Sequence, residues 1–278
     1  MSTPIVKAGV AGSPIEHSLS PTLHEAAFQA LGLPWRSERL EFGLGEGQAL
    51  LELIRDRDLR GVSVTMPLKA ELVHLLDWVA TEAWRLQSVN CVVSEDGHLT
   101  GYSTDGEGFV NWLHYEDQVH LEGKKCLVIG SGGAARAVAA ALNDAQAAEI
   151  VVSARSEERA RDLVELLGPT GRIATDDDVR DADIIVNATP QGMAGTNTEH
   201  EMPCDPSQIS LSAIAVDLVY HPLETAWLRQ LQQRGVAGHG GLGMLVHQAA
   251  IQIELWTGAE APIPEMLTAA KQAMLGRS

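Results

Sequence analysis

The sequence predicts an α/β fold. Two observations support this class: short aliphatic segments alternate with amphipathic segments along most of the 278 residues, and a glycine-rich turn directly follows one aliphatic segment. Strands that alternate with helices in this way form a mainly parallel sheet, which helices cover on both faces. A chain of this length forms either one large domain or two domains of ordinary size.

The first hundred residues predict strands and helices in alternation. Ser20-Pro21 is typical of a helix start, with Ser20 as the capping residue, and Gly32 follows the end of that helix. Pro67 predicts a second helix that runs to about Trp78. The predicted strands are Val6–Val10, Gly61–Thr65, Val89–Val93 and Leu99–Tyr102, of which the last two form a hairpin around Asp96-Gly97.

From about residue 104 the pattern becomes a series of strand–helix–strand units. The predicted helices are Gly106–Tyr115, Ala134–Leu142, Glu157–Leu167 and the stretch of residues 240–278. The predicted strands are Cys126–Ile129, Glu149–Ser153, Asp183–Asn187 and Ala213–Leu218. Gly238-His239-Gly240-Gly241 predicts a flexible segment, because glycine restricts the backbone so little.

The composition excludes several classes of partner. With 20 Lys and Arg against 37 Asp and Glu, the net charge is −17, whereas nucleic acids and anionic membranes select basic surfaces. Cys91, Cys126 and Cys204 form neither a C-x-x-C pair nor a zinc-ligand spacing, which indicates a reducing compartment. No apolar run reaches the roughly 18 residues of a membrane span, and the N-terminus does not resemble a signal peptide. We therefore expect a cytoplasmic protein that binds no metal.

A phosphate-binding loop is the most specific single motif. The run Gly130-Ser131-Gly132-Gly133-Ala134-Ala135 fits the pattern G-x-G-x-x-G/A between a predicted strand and a predicted helix. Glycines let a pyrophosphate approach the backbone, and the first N–H groups of the helix bind its charge. A glycine-rich tight turn has similar composition, but the strand–loop–helix context favours a dinucleotide site.

The next predicted strand indicates which dinucleotide. An NAD site places Asp or Glu near the end of this strand to bind the ribose 2′-hydroxyl, whereas here Ser153-Ala154 leads into Arg155, with Arg159 one helical turn further on. Arginine binds a 2′-phosphate through paired hydrogen bonds, which favours NADP. The alternative is that Arg155, Arg159 and Arg161 pair with Glu157 and Glu158 on a solvent-exposed helix.

Lys69 is an acid–base candidate in the first hundred residues. It lies in the first turn of the helix that Pro67 predicts, where the helix dipole disfavours a positive charge by roughly 0.3–1 kcal/mol. A lysine in that field is suited to giving and taking protons near neutral pH. Considered by itself, a single lysine is more often an exposed charge without a chemical role.

Five other polar positions have both a structural and a functional interpretation. Ser18 and Ser20 either cap a helix or bind a carboxylate through their hydroxyls at the helix start. Asp105 is either a helix cap or turn residue or a partner in acid–base chemistry. Asn90 is either a hairpin or core residue or a ligand of substrate hydroxyls, and Tyr220 follows a predicted buried strand, where half-buried aromatics are common.

Taken in order, these motifs resemble the shikimate dehydrogenase family, which includes the shikimate and quinate/shikimate dehydrogenases. The similarity extends over nearly the whole chain. The matching stretches are Ser13–Pro21, Ser63–Lys69, Val89-Asn90, Thr104-Asp105-Gly106, Gly130–Arg136, Asn187–Met193, Asp217–Pro222 and Gly241–Gln248. So many matches in one order are far more specific than the glycine-rich loop by itself.

The resemblance implies two domains with the active site in the cleft between them. Residues 1–104 and 242–278 would form an α/β substrate domain that C-terminal helices complete, and residues 105–241 a Rossmann-type NADP-binding domain. The implied reaction is the reversible reduction of 3-dehydroshikimate to shikimate in aromatic amino-acid biosynthesis, with NADP as the cofactor and a small acid as the substrate, and with neither nucleic acid nor membrane as a partner.

The resemblance also implies roles for individual residues. Lys69 and Asp105 would be the catalytic pair beside the reacting hydroxyl. The substrate carboxylate would be bound by Ser18, Ser20 and Tyr220, and its hydroxyls by Thr65, Asn90 and Gln248. On the cofactor side, Gly130–Ala135 would hold the pyrophosphate, and Ala154, Arg155, Ser156 and Arg159 the 2′-phosphate. The nicotinamide half would lie along Thr189, Met193 and Gly241.

The chain departs from the family pattern at a few positions. Gln87-Ser88 stands where Gly-Ala is usual, Cys91 where Thr is usual, and Ser103 and Ala154 each replace an Asn. A quinate/shikimate or aminoshikimate dehydrogenase is therefore an alternative of the same class. A nucleotide-binding regulatory protein with little activity is an alternative of another class, which the presence of both Lys69 and Asp105 disfavours. The expected assembly is a monomer or a homodimer.

Overall fold

The computed structural model describes residues 5–276 and divides the chain into two units. The first unit consists of Met1–Gly108 and Val246–Ser278, and the second of Phe109–Leu245. Each unit contains one six-stranded sheet, so the observed class is α/β, as the sequence predicts.

The sheet of the first unit is mixed. Its strands, in order across the sheet, are β2 (Trp35–Glu41), β1 (Ile5–Gly12), β3 (Gly61–Val64), β5 (Cys91–Glu95), β6 (His98–Tyr102) and β4 (Trp78–Val79). The first three are parallel, whereas β5 is antiparallel to both of its neighbours. The predicted hairpin around Asp96-Gly97 is confirmed, and both turn residues have the positive φ that such a turn requires.

Helices accompany this sheet. They are α1 (Ser20–Ala30), α2 (Gly47–Asp56), α3 (Thr81–Leu86), the first residues of α4 (Asp105–Tyr115), most of α9 (Leu242–Thr257) and α10 (Ile263–Leu275). The apolar side of α2, including Leu50, Leu51 and Ile54, is fully buried in one cluster with residues of β1 and β3. The strand β2 and the helices α2 and α3 are elements that the sequence analysis did not predict.

The predicted helix from Pro67 to about Trp78 is wrong. Only Glu71–His74 is helical, as a single 3₁₀ turn, and Trp78 begins β4. The Lys69 carbonyl accepts a hydrogen bond from the N–H of Val89 at 2.8 Å instead of from a residue one helical turn further on. Lys69 therefore lies in a turn, and no helix dipole acts on its charge.

The prediction that Ser20 caps α1 is also wrong. Ser20 is the first residue of the helix, Leu19 occupies the cap position, and no side chain accepts a hydrogen bond there as a cap. The Oγ of Ser18 instead accepts a hydrogen bond from the N–H of Ser20 at 3.3 Å. Ser18, and not Ser20, therefore uses its side chain to satisfy a backbone N–H at the helix start.

All six strands of the second unit are parallel. In order across the sheet they are β12 (Ala237–Gly240), β11 (Ile214–Asp217), β10 (Ile184–Asn187), β7 (Lys125–Ile129), β8 (Glu149–Ser153) and β9 (Gly171–Ile173). Its helices are α5 (Gly133–Asp144), α6 (Glu157–Leu167), α7 (Asp178–Asp181), α8 (Ala226–Arg234) and the greater part of α4. The chain winds outward from β7 in one direction and from β10 in the other, which is the doubly wound arrangement.

The expectation of a flexible segment at residues 238–241 is wrong. His239 lies in β12, in register with Val216 of β11. Gly240 is needed for space, because a Cβ there would lie 3.0 Å from the Leu223 carbonyl oxygen, whereas a Cβ on Gly238 would meet only the Leu228 side chain, at 3.0 Å. Within residues 5–276, no helix is long and apolar enough to cross a bilayer.

A buried histidine lies between α1 and its neighbours. His24 has no exposed surface, its Nδ1 lies 2.8 Å from the Ser37 Oγ in β2, and its ring meets Trp256 edge-on at 4.9 Å. Burial lowers the pKa of His24 from 6.5 to about 3. The unfolded chain therefore binds a proton between these two values that the folded chain does not bind.

We expect His24 to make the free energy of unfolding depend on pH in the acidic range. Because its folded pKa is depressed, its neutral form is fully compatible with folding above pH 6.5, and the free energy of unfolding falls as the pH drops from 6.5 towards 3. In urea unfolding, His24→Gln should reduce this slope by up to about 1.4 kcal/mol per pH unit. His98→Gln, at an exposed histidine, should leave the slope unchanged. Equal slopes in the wild type and His24→Gln would contradict this assignment.

Candidate active site

Two stretches of the family motif meet at the carboxyl ends of β1 and β3. These strands are parallel, with Ala11 in register with Val64, so the residues that follow each strand lie at the same edge of the sheet. The N–H of Ser13 donates to the Met66 carbonyl at 2.9 Å. A Cβ on Gly12 would lie 2.6 Å from that same oxygen, so only glycine allows the two turns to approach so closely.

An ion pair between Lys69 and Asp105 lies in this part of the first unit. The Lys69 Nζ lies 2.5 Å from the Asp105 Oδ2, and the two side chains are only 19% and 9% exposed. Asp105 begins α4, and Lys69 follows β3 by a short turn. The structure therefore brings together the two residues that the family motif identifies as the acid–base pair.

Asn90 holds the second oxygen of this carboxylate. The N–H of Thr104 donates to the Asn90 Oδ1 at 2.7 Å, and since an N–H only donates, the amide nitrogen must face the other way. That nitrogen donates to the Asp105 Oδ1 at 2.7 Å. Asn90 itself is nearly fully buried beside the end of β3, where its carbonyl accepts from the N–H of Val64.

Gln248 joins the same network from α9. Its Oε1 lies 3.3 Å from the Asn90 Nδ2, and its backbone carbonyl accepts from the Thr104 hydroxyl at 3.0 Å. A Cβ on Gly108 would lie 2.5 Å from the Gln248 backbone nitrogen, so a glycine at this position lets α4 and α9 pack closely. Asn90, Asp105, Gln248 and Lys69 thus form one cluster within the first unit.

The other predicted substrate ligands lie at three places, two in the first unit and one in the second. Ser18 and the largely buried Ser20 stand at the start of α1, and the half-buried Thr65 directly follows β3. The guanidinium of Arg39 in β2 donates to the Ser18 carbonyl at 2.8 Å, a contact that the sequence analysis missed. Tyr220 is half-buried after β11, in the second unit.

The glycine-rich loop follows β7 and leads into α5. Gly130 has φ +128°, and a Cβ there would lie 2.8 Å from the Ala188 carbonyl oxygen, so the position requires glycine. Gly132 occupies the N-cap position of α5 and Gly133 is its first residue. A Cβ on Gly132 would meet nothing within 4 Å, so the space before the helix start is open to a ligand.

The remaining residues of the glycine-rich loop differ in how far they are buried. Ser131, Gly133 and Ala134 are half-buried, and Ala135 is buried against the sheet. The structure therefore has the strand–loop–helix geometry that the sequence predicts for a pyrophosphate site.

Two exposed arginines follow β8. Arg155 and Arg159 are exposed, and within residues 5–276 neither has a hydrogen bond or an ion pair through its guanidinium. Of the three arginines, Arg161 is the one that pairs with a glutamate on the exposed helix, as the alternative interpretation expects, and its partner is Glu157. Ser156 caps α6 by accepting from the N–H of Arg159 at 3.4 Å, and the half-buried Ala154 directly follows β8. This surface is suited to an anionic group.

An amide–carboxylate network supports the loop after β10. Asn187 donates to the Asp217 Oδ1 at 2.9 Å, and its own Oδ1 accepts from the Thr189 hydroxyl at 2.6 Å. Burial raises the pKa of the fully buried Asp217, which also accepts from the Thr225 hydroxyl at 2.7 Å. The network fixes the backbone at Thr189, beside Gly130.

Met193 and Gly241 also follow strands of this sheet. Met193 is half-buried, and its carbonyl accepts from the Thr196 hydroxyl at 2.7 Å. A Cβ on Gly241 would lie 2.2 Å from the Leu218 carbonyl oxygen. Packing against the backbone after β11 is therefore sufficient to explain this glycine.

Sequence reasoning missed several residues that support these clusters. Asn187, Asp217 and Thr104 lie in the matched stretches but had no assigned role. Gln252 also belongs to the Asn90 cluster, and the sequence indicated this: it follows Gln248 by four residues in a mostly apolar helix, so both amides share one face.

The doubly wound sheet and its loop define the class: a Rossmann-type, dinucleotide-binding α/β protein, with a second α/β unit that carries a nearly buried lysine–carboxylate pair. Three family models match successive parts of the chain. They describe a shikimate dehydrogenase substrate binding domain (residues 10–92), a shikimate/quinate 5-dehydrogenase (114–220) and a shikimate 5′-dehydrogenase C-terminal domain (241–271).

Individual relatives identify the family. The shikimate dehydrogenase (NADP(+)) of Geobacillus kaustophilus is 38% identical over 256 residues, covering 90% of this chain and 92% of its own. Shikimate 5-dehydrogenase from Thermus thermophilus, solved in complex with NADP(H) and shikimate, is 38% identical with a TM-score of 0.89, covering 97% and 99% of the two chains. Quinate dehydrogenase from Corynebacterium glutamicum, solved in complex with NAD, is 28% identical with a TM-score of 0.88, covering 98% and 100%. This chain belongs to the shikimate dehydrogenase family.

We expect Gly241→Ala to destabilise the second unit without any ligand present. The added Cβ meets a backbone oxygen that cannot rotate away, so the free energy of unfolding should fall by about 1–3 kcal/mol. Gly238→Ala is the matched control, because its Cβ meets only the Leu228 side chain. Urea unfolding of both ligand-free variants makes the comparison. An unchanged midpoint for Gly241→Ala would show that packing does not require this glycine.

Proposed function

We propose that this chain catalyses the reversible, NADP-dependent reduction of 3-dehydroshikimate to shikimate. The observation that carries the proposal is the Lys69–Asp105 ion pair with its Asn90 support, at the positions where the family motif has its acid–base pair. The activity for which the Geobacillus kaustophilus relative is named supports the same reaction.

We assign different binding roles to the two parts of the chain. Residues 1–104 and 242–278 supply most of the groups that bind the acid, and residues 105–241 bind NADP and also supply Asp105 and Tyr220. Ser18 and Ser20 present their hydroxyls for the substrate carboxylate, together with the Tyr220 hydroxyl. Thr65, Asn90 and Gln248 bind the ring hydroxyls. Both Asn90 amide hydrogens have protein acceptors nearby, so Asn90 contacts substrate by exchanging one of those bonds.

Lys69 moves the proton of the reacting oxygen. A charged lysine carries three N–H donors, and Asp105 accepts only one of them, so another is available for the substrate oxygen. In the direction of reduction Lys69 donates a proton to the C3 oxygen, and in the direction of oxidation it accepts that proton. Asp105 holds the Nζ in place, since its other oxygen is fixed by Asn90.

The second unit fits NADP. The glycines that allow close approach at Gly130 and open space at Gly132 suit a pyrophosphate, and the unpaired Arg155 and Arg159 suit a 2′-phosphate. Ser131, Gly133, Ala134 and Ala135 complete the loop, Ala154 and Ser156 flank the arginines, and Thr189, Met193 and Gly241 line the nicotinamide half. When bound, NADP supplies the hydride acceptor and NADPH the hydride donor.

A quinate dehydrogenase is the second candidate, because the Corynebacterium glutamicum protein has the same fold. The two arginines without partners favour NADP, and with it the first candidate. We further propose a cytoplasmic enzyme that acts as a monomer or a homodimer, without nucleic acid as a partner.

Removing the lysine amine tests the catalytic role directly. Lys69→Met should lower kcat for shikimate oxidation at least about a hundredfold and change KM much less, because general acid–base transfer contributes mainly to the transition state. Lys7→Met is the matched control, since Lys7 pairs with Asp58 elsewhere in the first unit. Near-normal turnover by Lys69→Met would exclude the proposed proton transfer.

The two arginines should determine the choice of dinucleotide. Replacing Arg155 and Arg159 together with Gln should raise KM for NADP at least about tenfold, because a charge-assisted bond is worth about 1.5–3 kcal/mol, and should leave KM for NAD nearly unchanged. Arg161→Gln is the control, because Arg161 already pairs with Glu157. If KM for both dinucleotides rises equally, the arginines do not recognise the 2′-phosphate.

A further inference from the structure

Arg39 is an exposed arginine to which the proposed reaction gives no role. It lies near the carboxyl end of β2, in register with Val10 of the parallel strand β1. Its guanidinium donates to the Ser18 carbonyl oxygen at 2.8 Å. Ser18 comes after β1, so the two residues lie at the same edge of the sheet. This contact places a positive charge beside a residue that we assign to the substrate carboxylate.

No carboxylate neutralises this charge. Among the residues that the structure describes, Arg39 has no ion pair, and its bond to the Ser18 carbonyl is its one side-chain hydrogen bond. The acidic residues on either side of it in β2 bond to other groups, since Glu38 pairs with Arg57 and Glu41 accepts from the hydroxyl of Ser13 at 2.8 Å. The chain has 37 acidic residues against 20 basic ones, and yet this guanidinium is available to an anionic ligand.

The serine hydroxyls beside Arg39 are donors without charge. The Ser18 Oγ accepts from the N–H of Ser20 at 3.3 Å, and its own hydrogen has no acceptor in the described part of the chain, so it is free to donate to a carboxylate. The carbonyl and hydroxyl oxygens of one serine are at most about 5 Å apart. The bonded Arg39 nitrogen therefore lies within about 8 Å of the Ser18 hydroxyl, a distance over which charges still interact at physiological salt.

We propose that Arg39 supplies the positive charge that attracts the substrate carboxylate to Ser18 and Ser20. The Ser18 carbonyl holds the guanidinium in place through one of its five N–H donors, and the charge itself acts on the acid. The inference rests on the proposed function, because that function assigns the carboxylate to these serines. The carboxylate is unchanged during the reaction, so Arg39 stabilises the bound substrate and the transition state equally. Its loss raises KM and leaves kcat nearly unchanged.

The test compares two exposed arginines of β2 in the purified full-length chain at saturating NADP. Arg36 pairs with Glu25 at 3.5 Å, so Arg36→Gln and Arg39→Gln change the net charge equally, and the second alone removes the charge beside Ser18. At about 0.01 M salt, Arg39→Gln should raise KM for shikimate about threefold to fivefold and change kcat less than about twofold, as expected for one partly exposed charge near another. Arg36→Gln should change KM less than about 1.5-fold.

Salt distinguishes the charge of Arg39 from its hydrogen bond to the backbone. Charges interact over about 30 Å at 0.01 M salt and over about 3 Å at 1 M. The ratio of KM between Arg39→Gln and the wild type should therefore fall below about 1.5 at 1 M salt. Arg39→Lys keeps the charge and should stay within about twofold of the wild type at both salt concentrations. An equal ratio at both concentrations, a normal KM for Arg39→Gln, or an Arg39→Lys variant as impaired as Arg39→Gln would overturn the proposal.

A second measurement is independent of turnover. Calorimetric titration of shikimate into the wild type and into Arg39→Gln at about 0.01 M salt should give a Kd that is about threefold to fivefold higher for the variant. Binding that depends on Arg39 in a chain that does not reduce NADP would refute the proposed reaction and retain the role of Arg39. Oxidation of shikimate with a KM and a Kd that do not depend on Arg39 would refute that role and retain the reaction. Neither binding nor oxidation by the wild type would refute both.

Discussion

Burial of the Asp105 carboxylate is the constraint on which the first unit depends. An ionised carboxylate largely removed from water costs several kcal/mol unless both of its oxygens are compensated. Lys69 compensates one oxygen and Asn90 the other. The backbone bond from Val89 to the Lys69 carbonyl and the bond from Thr104 to Asn90 then fix where β5 begins and how α4 starts. The hydrogen bonds around the Asp105 carboxylate therefore determine how the turn after β3, the start of β5 and the start of α4 are placed together.

In the second unit the main constraint is the close approach of one backbone segment to another. Gly130 and Gly241 are both required by carbonyl oxygens in the loops that directly follow β10 and β11, and Asn187 and Asp217 hydrogen-bond to each other at the ends of those two strands. The result is a row of loops at the carboxyl ends of parallel strands, where the reversal of strand order opens a crevice for a ligand.

The net charge of the whole chain does not determine whether a particular site binds an anion. A net charge of −17 does not prevent an anionic ligand from binding, because charges are screened over about 8 Å at physiological salt and nearby groups dominate. The unpaired guanidinium groups after β8 lie where the 2′-phosphate is proposed to bind. The acidic residues as a whole disfavour polyanions and say little about a single small acid.

The second unit was predictable from the sequence because its strand–helix units repeat. The first unit was harder to predict because its turns depend on hydrogen bonds between residues that are distant in the sequence. Aliphatic strands and amphipathic helices are encoded locally, so β7, β8 and α6 were placed almost to the residue. The turn at Lys69 depends on Val89, which lies twenty residues away, and the order at residues 238–241 depends on pairing with β11. Lys69 and Asp105 were found through the family motif. Gln252 was missed, although its position four residues after Gln248 places both amides on one face of α9.

The most direct test of this account is the steady-state kcat/KM of the wild-type chain for shikimate and for quinate, each measured with NADP and with NAD. Oxidation of shikimate with NADP should have the highest value, exceeding both shikimate with NAD and quinate with NADP by at least about tenfold, which corresponds to about 1.4 kcal/mol of selective transition-state binding. A higher value for quinate or for NAD, or no reduction of NADP with either acid, would contradict it.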